Sequence, residues 1–115
     1  MTFEMNLHPE PFASIKSGEK DIEMRLDDER RKDIKVGDTI IFTNNQTLEK
    51  MSVEVINLFR FHSFDELYKH FDKTRLGYNA NEVADPKDME KYYPIEKILR
   101  YGVLAIEIKF KDVFI

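Results

Sequence analysis

A two-residue alternation of apolar and polar side chains recurs in short segments along nearly the whole chain, and it limits the folds open to it more than any other feature. Thr2 to Leu7 sets Phe3, Met5 and Leu7 on one face and Thr2, Glu4 and Asn6 on the other. Lys20 to Leu26 repeats the arrangement, with Ile22, Met24 and Leu26 opposite Asp21, Glu23 and Arg25. Thr39 to Thr43 follows a Val36-Gly37-Asp38 turn, and Asn44-Asn45 marks a reversal. The stretch from about Met51 to Phe61 changes phase near Ile56, which predicts a bend or bulge. Val103 to Phe110 closes the pattern, with Leu104, Ile106, Ile108 and Phe110 expected toward the core. Five strands, most apolar on one side, predict an α+β fold whose mostly antiparallel sheet curls into a small β-barrel.

Short helices fill the gaps. Pro9 and Pro11 stop the first strand and suit a first helical turn, with Phe12 and Ile15 inward and Gly18 at the C-terminal cap. Ser63-Phe64-Asp65-Glu66 has the spacing of a capping box, followed by Phe64, Leu67, Tyr68 and Phe71 on one helical face. Asp72 to Asn81 reads as a loop. Asp85-Pro86 opens another helix, with Met89, Tyr92 and Tyr93 on one side, and Pro94 begins a further turn with Ile95, Ile98 and Leu99, ended by Gly102.

At 115 residues the chain has the size of one domain, expected to span 1–115. Its 42% hydrophobic and 35% charged residues argue against disorder, and its apolar runs are far too short to cross a bilayer. No basic segment followed by an apolar one opens it, so no signal peptide is expected, and the absence of cysteine removes disulfides and thiolate chemistry. A cytoplasmic location follows as the expectation. With 18 basic against 22 acidic residues and a net charge of -4, duplex DNA is an improbable partner, whereas a small ligand or a short single strand is not excluded.

The densest group of chemically versatile side chains is Gly18-Glu19-Lys20-Asp21-Ile22-Glu23-Met24-Arg25. Glu23 and Arg25 project from the same strand face with Cβ atoms about 7 Å apart, and Lys20 stands at the strand mouth. A guanidinium fork, a carboxylate and an ammonium can together grip a polar planar ligand, and Lys20 with Glu23 could exchange protons with one. The same pattern also describes a surface strand with an ordinary Glu23–Arg25 ion pair. Alternation alone sends Lys20 to the opposite face, so a shared site requires a turn at Lys20-Asp21. His8, on the polar side of the first strand, could hydrogen-bond a ligand. His62 and His70 have no metal-ligand spacing, and no metal or other cofactor is expected. Most aromatic residues fall at core spacing; Tyr78, in a loop, and Tyr101, beside Gly102, are the exceptions that could stack on a base. Arg30-Arg31-Lys32 is offset by the acids around it.

Gly18-x-Lys20-x-x-Glu23-x-Arg25, preceded by Leu7-His8-Pro9-Glu10-Pro11-Phe12, resembles the opening of the activating-signal-cointegrator-homology (ASCH) domain family. Val36 to Phe42 and Tyr101 to Ile108 are similar to that family's next and closing strands, in the right order. The resemblance implies a PUA-like β-barrel with flanking short helices and a cleft lined by Lys20, Glu23 and Arg25. It implies an RNA or nucleotide-like partner, with Lys20, Glu23, Arg25, His8 and Tyr101 as ligand-binding candidates. One branch of the family hydrolyses N4-acetylcytidine with a lysine, a threonine and a glutamate; Lys20 stands at that lysine, but Glu23 replaces the threonine. Amide hydrolysis, or an RNA-directed hydrolysis, with Lys20 and Glu23 as catalytic residues is therefore the alternative to binding, and a protein-interaction domain is the third. On the binding reading, Lys20→Ala and Arg25→Ala should weaken an RNA or nucleoside interaction while leaving thermal stability nearly unchanged.

Overall fold

The computed structural model describes residues 1–114. Five strands form one sheet: β1 (Thr2–Leu7), β2 (Ile22–Leu26), β3 (Thr39–Asn44), β4 (Lys50–Phe61) and β5 (Val103–Phe114), in the order β1-β3-β4-β5-β2. Only the β1–β3 pair is parallel; the remaining three pairs are antiparallel. Three helices accompany them, α1 (Pro9–Ser17), α2 (Phe64–His70) and α3 (Ile95–Tyr101), with 3₁₀ turns at Lys73–Leu76 and Pro86–Lys91. The α+β fold with a mostly antiparallel sheet and short helices is thus as expected.

The sheet curls without closing its hydrogen-bond ladder. β1 and β2 are its two edges, and no backbone pair joins them among the described residues. They nevertheless approach closely, because Arg25 on β2 donates from Nη2 to the carbonyl of Asn6 on β1 at 3.0 Å. A side chain rather than a strand pair fastens this seam of the barrel.

Two apolar clusters lie on opposite faces of the sheet. The barrel interior holds Met5, Leu7, Ile40, Phe42, Met51, Val53, Val55, Leu104, Ile106 and Ile108, with Phe12 and Ile15 of α1 as its plug. The second cluster joins Ile22, Met24, Leu26, Val103 and Ala105 to Phe64, Leu67 and Phe71 of α2, and to Leu76, Met89 and Ile98. Alternation along β5 feeds both at once, so Leu104 and Ile106 face inward while Val103 and Ala105 face the helices. The phase change near Ile56 is a bulge: Val55 pairs with Ile108, Asn57 with Glu107, and Ile56 is left unpaired and exposed. It moves the odd-numbered residues of β4 from the barrel interior at Val53 and Val55 to the helix side at Phe59 and Phe61.

Three expectations are revised. β5 runs on to Phe114, and Phe110, expected in the core, pairs with Val53 in phase with Ile108 but is exposed; a second irregularity follows it, where Ser52 pairs with Asp112 and Lys111 is left over. Around Pro86 only Met89 is buried and Tyr93 is half-buried, while Tyr92 is exposed, because the segment is a tight 3₁₀ turn whose side chains do not share one face. On α3 only Ile98 is buried, and Ile95 and Leu99 face outward.

Candidate functional site

The polar face of β2 points toward the inside of the barrel. In the register, Glu23 lies opposite Ile106 and Arg25 opposite Leu104, both interior residues of β5. Two charged side chains are therefore inserted at the rim of an apolar core, which is costly unless they are paired.

The pairing comes from Lys20. Gly18, at φ +88°, ends α1 with its N–H on the Ile15 carbonyl. Lys20 then donates its backbone N–H to Ser14 rather than to a strand, and Asp21 pairs with Arg75 and Ile108. Because Lys20 precedes the ladder, the face rule of β2 does not bind it, and its side chain comes round to Glu23. Lys20 Nζ lies 3.2 Å from Glu23 Oε1, and Arg25 places both Nε and Nη2 at 2.8 Å from Glu23 Oε2. Each carboxylate oxygen thus has its own cation. Lys20 and Glu23 are only 7% and 4% exposed, so the expected turn is present but the residues are not on an open surface.

Further contacts lock the cluster. Lys20 Nζ also donates to the Leu76 carbonyl at 3.2 Å. That carbonyl is held in place by Arg75, which binds Asp21 at 2.8 Å and Glu107 at 3.0 Å. Gly77 adopts φ +108°, and a Cβ there would meet Lys20 Cδ at 3.2 Å, so a bare backbone is what lets the lysine stem pass. Burial pushes the Glu23 carboxyl up, but Lys20 and Arg25 together outweigh it and hold the group below its ordinary value. For Arg25, burial lowers the pKa and the attraction of Glu23, with a smaller contribution from Tyr93, reverses the effect and raises it. Burial raises the Tyr93 hydroxyl, against the pull of Arg25 and Arg31. With Glu23 ionised and both cations charged, the cluster carries one net positive charge at the seam.

The other candidates lie apart. His8 is exposed; its Nδ1 is 3.1 Å from the Asn45 amide and its ring faces Tyr92 at 6.2 Å, with no hydrogen bond to the cluster among the described residues. Tyr101 lies beyond the Leu26–Val103 pair, packed on the second cluster under the Arg100 guanidinium. Tyr78 is not a free loop ring: its hydroxyl is 2.8 Å from both Tyr68 and Asp88. Arg31 is taken up by Asp28 at 2.8 Å and Lys32 by Glu29 at 2.7 Å, in keeping with a balanced turn.

Asn6, Leu76, Gly77 and Tyr93 belong to the site and escaped the sequence reading. Two act through carbonyls, which any residue supplies, and Tyr93 sits in a helical-looking segment. Gly77 alone carried a usable sign, a lone glycine between Leu76 and Tyr78 in a loop. A cleft of about 340 Å³ reaches Gly77 from the side of Ser14 and Glu19, and a larger groove of about 670 Å³ passes Tyr101.

The ASCH domain matches residues 5–112 of the chain. Among solved structures, the hypothetical protein PH0355 is 33% identical over 96% of this chain and 100% of that one, with a TM-score of 0.82. Protein PF0455 from Pyrococcus furiosus is 32% identical over 97% of this chain and 99% of its own, with a TM-score of 0.76. The ASCH protein from Zymomonas mobilis shares the fold at a TM-score of 0.65 and 13% identity, over 92% of this chain and 65% of that one. No protein of curated function matches.

Proposed function

Because this chain belongs to the ASCH domain family, we propose that it binds a nucleotide-like ligand or a short RNA segment at the barrel seam, through Lys20, Glu23 and Arg25. The observation that carries this reading is the convergence of the three heads, two cations on one buried carboxylate. Such a cluster has a net positive charge in a poorly hydrated place, where a charge-assisted hydrogen bond is strong. Glu23 serves as the anchor that holds both cations, and Arg25, the most exposed of the three at 13% of its side chain, is the group offered to an acceptor. His8, which follows β1 and has the Tyr92 ring 6.2 Å away, is a candidate contact for a ligand that extends beyond the cluster.

The test is fluorescence polarisation with short labelled RNA, and thermal shift with a panel of nucleotides. Arg25→Lys keeps the charge but loses the fork. We expect it to weaken binding about tenfold while the protein stays folded. No binding to any RNA or nucleotide by the wild-type chain would sink the proposal.

The 3.2 Å approach of Lys20 to Glu23 also suits a hydrolytic reading, since proton transfer between them needs no rearrangement. In that reading water attacks the acetyl carbonyl of N4-acetylcytidine, the C–N bond breaks, and acetate and cytidine leave. Release of acetate, lost in a folded Lys20→Met variant, supports hydrolysis; its absence from the wild type leaves binding alone.

A further inference from the structure

The groove past Tyr101 is separate from the seam, and its chemistry is specific. Its volume of about 670 Å³ lies within the range of small-molecule sites. Phe61 and Tyr101 supply aromatic surface, and Asp27 and Arg60 line the same space. Arg100 lies 5.2 Å from the Tyr101 ring centre and forms no ion pair among the described residues. A planar cation over a ring is an arrangement on which a flat ligand can stack further. Asp27 carries the second signal. Its Oδ2 receives Arg60 Nε at 2.9 Å, whereas Oδ1 is buried with no hydrogen-bond partner. An orphaned carboxylate oxygen is a substantial cost, and an N–H donor would relieve it. A ligand donor reaches Oδ1 only after a turn about the soft terminal torsion of the aspartate, which the binding step must include.

We propose that this groove is a second binding site, for a nucleobase that carries an exocyclic amino group. The base stacks beside Tyr101 and Arg100 and donates an amino hydrogen to Asp27 Oδ1. Adenine, cytosine and guanine fit this requirement. Uracil does not, because its one ring N–H is flanked by carbonyl oxygens that face the carboxylate. The inference does not depend on ligand binding at Lys20, Glu23 and Arg25.

The test is a nuclear magnetic resonance titration of the full chain with adenosine, cytidine, uridine and short oligoadenylate. Adenosine and cytidine should shift the amides of Asp27, Tyr101 and Gly102, with uridine about tenfold weaker. In Asp27→Asn, Arg60 keeps the amide oxygen and the amide nitrogen becomes a donor, so the preference should turn toward uridine. Arg100→Gln, at an exposed position, should weaken every nucleoside several-fold without lowering the melting temperature. Lys20→Met should leave these shifts in place, which separates this site from the seam. Tighter binding of oligoadenylate than of adenosine identifies a strand as the source of the base, and equal binding identifies the free nucleoside. Equal affinity for uridine, an unchanged preference in Asp27→Asn, shifts confined to the neighbourhood of Gly77, or no shift at all would overturn the proposal.

Discussion

At the scale of single residues, Glu23 decides the most. It sits 4% exposed between Lys20 and Arg25, so Glu23→Gln would strand two buried cations. We expect a loss of about 3–5 kcal/mol, measured by urea unfolding at neutral pH. The pH dependence follows from the direction of the Glu23 shift. A carboxyl held below its unfolded value adds stability above that value, about 4.3, and loses it as the pH falls through the folded value. The gap between wild type and Glu23→Gln should therefore close on acidification, and a gap constant with pH would contradict the pairing. The same burial corrects the expectation that Lys20→Ala is harmless to stability; it leaves the Glu23 carboxylate short of one partner. Gly77→Ala places a Cβ against Lys20 at a left-handed φ, and should cost about 1–3 kcal/mol in the same assay. The residues of the cluster were legible because Gly18, Lys20, Glu23 and Arg25 stand in a recognisable spacing. Their burial was not, because the side of β2 that meets the barrel depends on its register with β5, and no local pattern encodes that.

The elements were easier to read. Thr2–Leu7 alternates without interruption and forms β1 as expected, and the phase slip at Ile56 marks the bulge of β4. Ser63 accepts the Glu66 N–H at 3.2 Å and starts α2, which is only 7 residues long. A helix this short depends on its cap, so Ser63→Ala should cost about 1 kcal/mol, seen as a lower urea midpoint. Segments without periodicity were harder. Lys73–Leu76 read as loop, yet it is a 3₁₀ turn clamped by Arg75 to Asp21 and Glu107, residues 54 and 32 positions away. Partners so distant in sequence leave no trace nearby. Phe110 failed for a related reason: alternation marks it as inward and it does pair with Val53 in phase with Ile108, but whether anything covers that position is set by elements remote in sequence, and it is left exposed.

For the whole molecule, the shared wall of the two clusters is the feature with the widest consequence. Leu104 belongs to the barrel interior and its neighbours Val103 and Ala105 to the helix side, so β5 transmits any loss of packing across the sheet. Leu104→Ala should cost about 2–5 kcal/mol. Tyr68, Tyr78, Tyr93 and Tyr101 all report from the helix side. Their near-ultraviolet signal should melt together with the barrel amides, at a lower temperature in the variant. A tyrosine transition unmoved by Leu104→Ala would show two independent folding units. The seam has a different consequence. Arg25 is both the donor offered to a ligand and the stitch that ties the last strand of the sheet to the first at Asn6. Whatever competes for its Nη2 slackens that stitch, so a guest at the seam is felt as mechanical release along the opposite edge, and faster amide exchange near Asn6 is how the molecule would register its arrival.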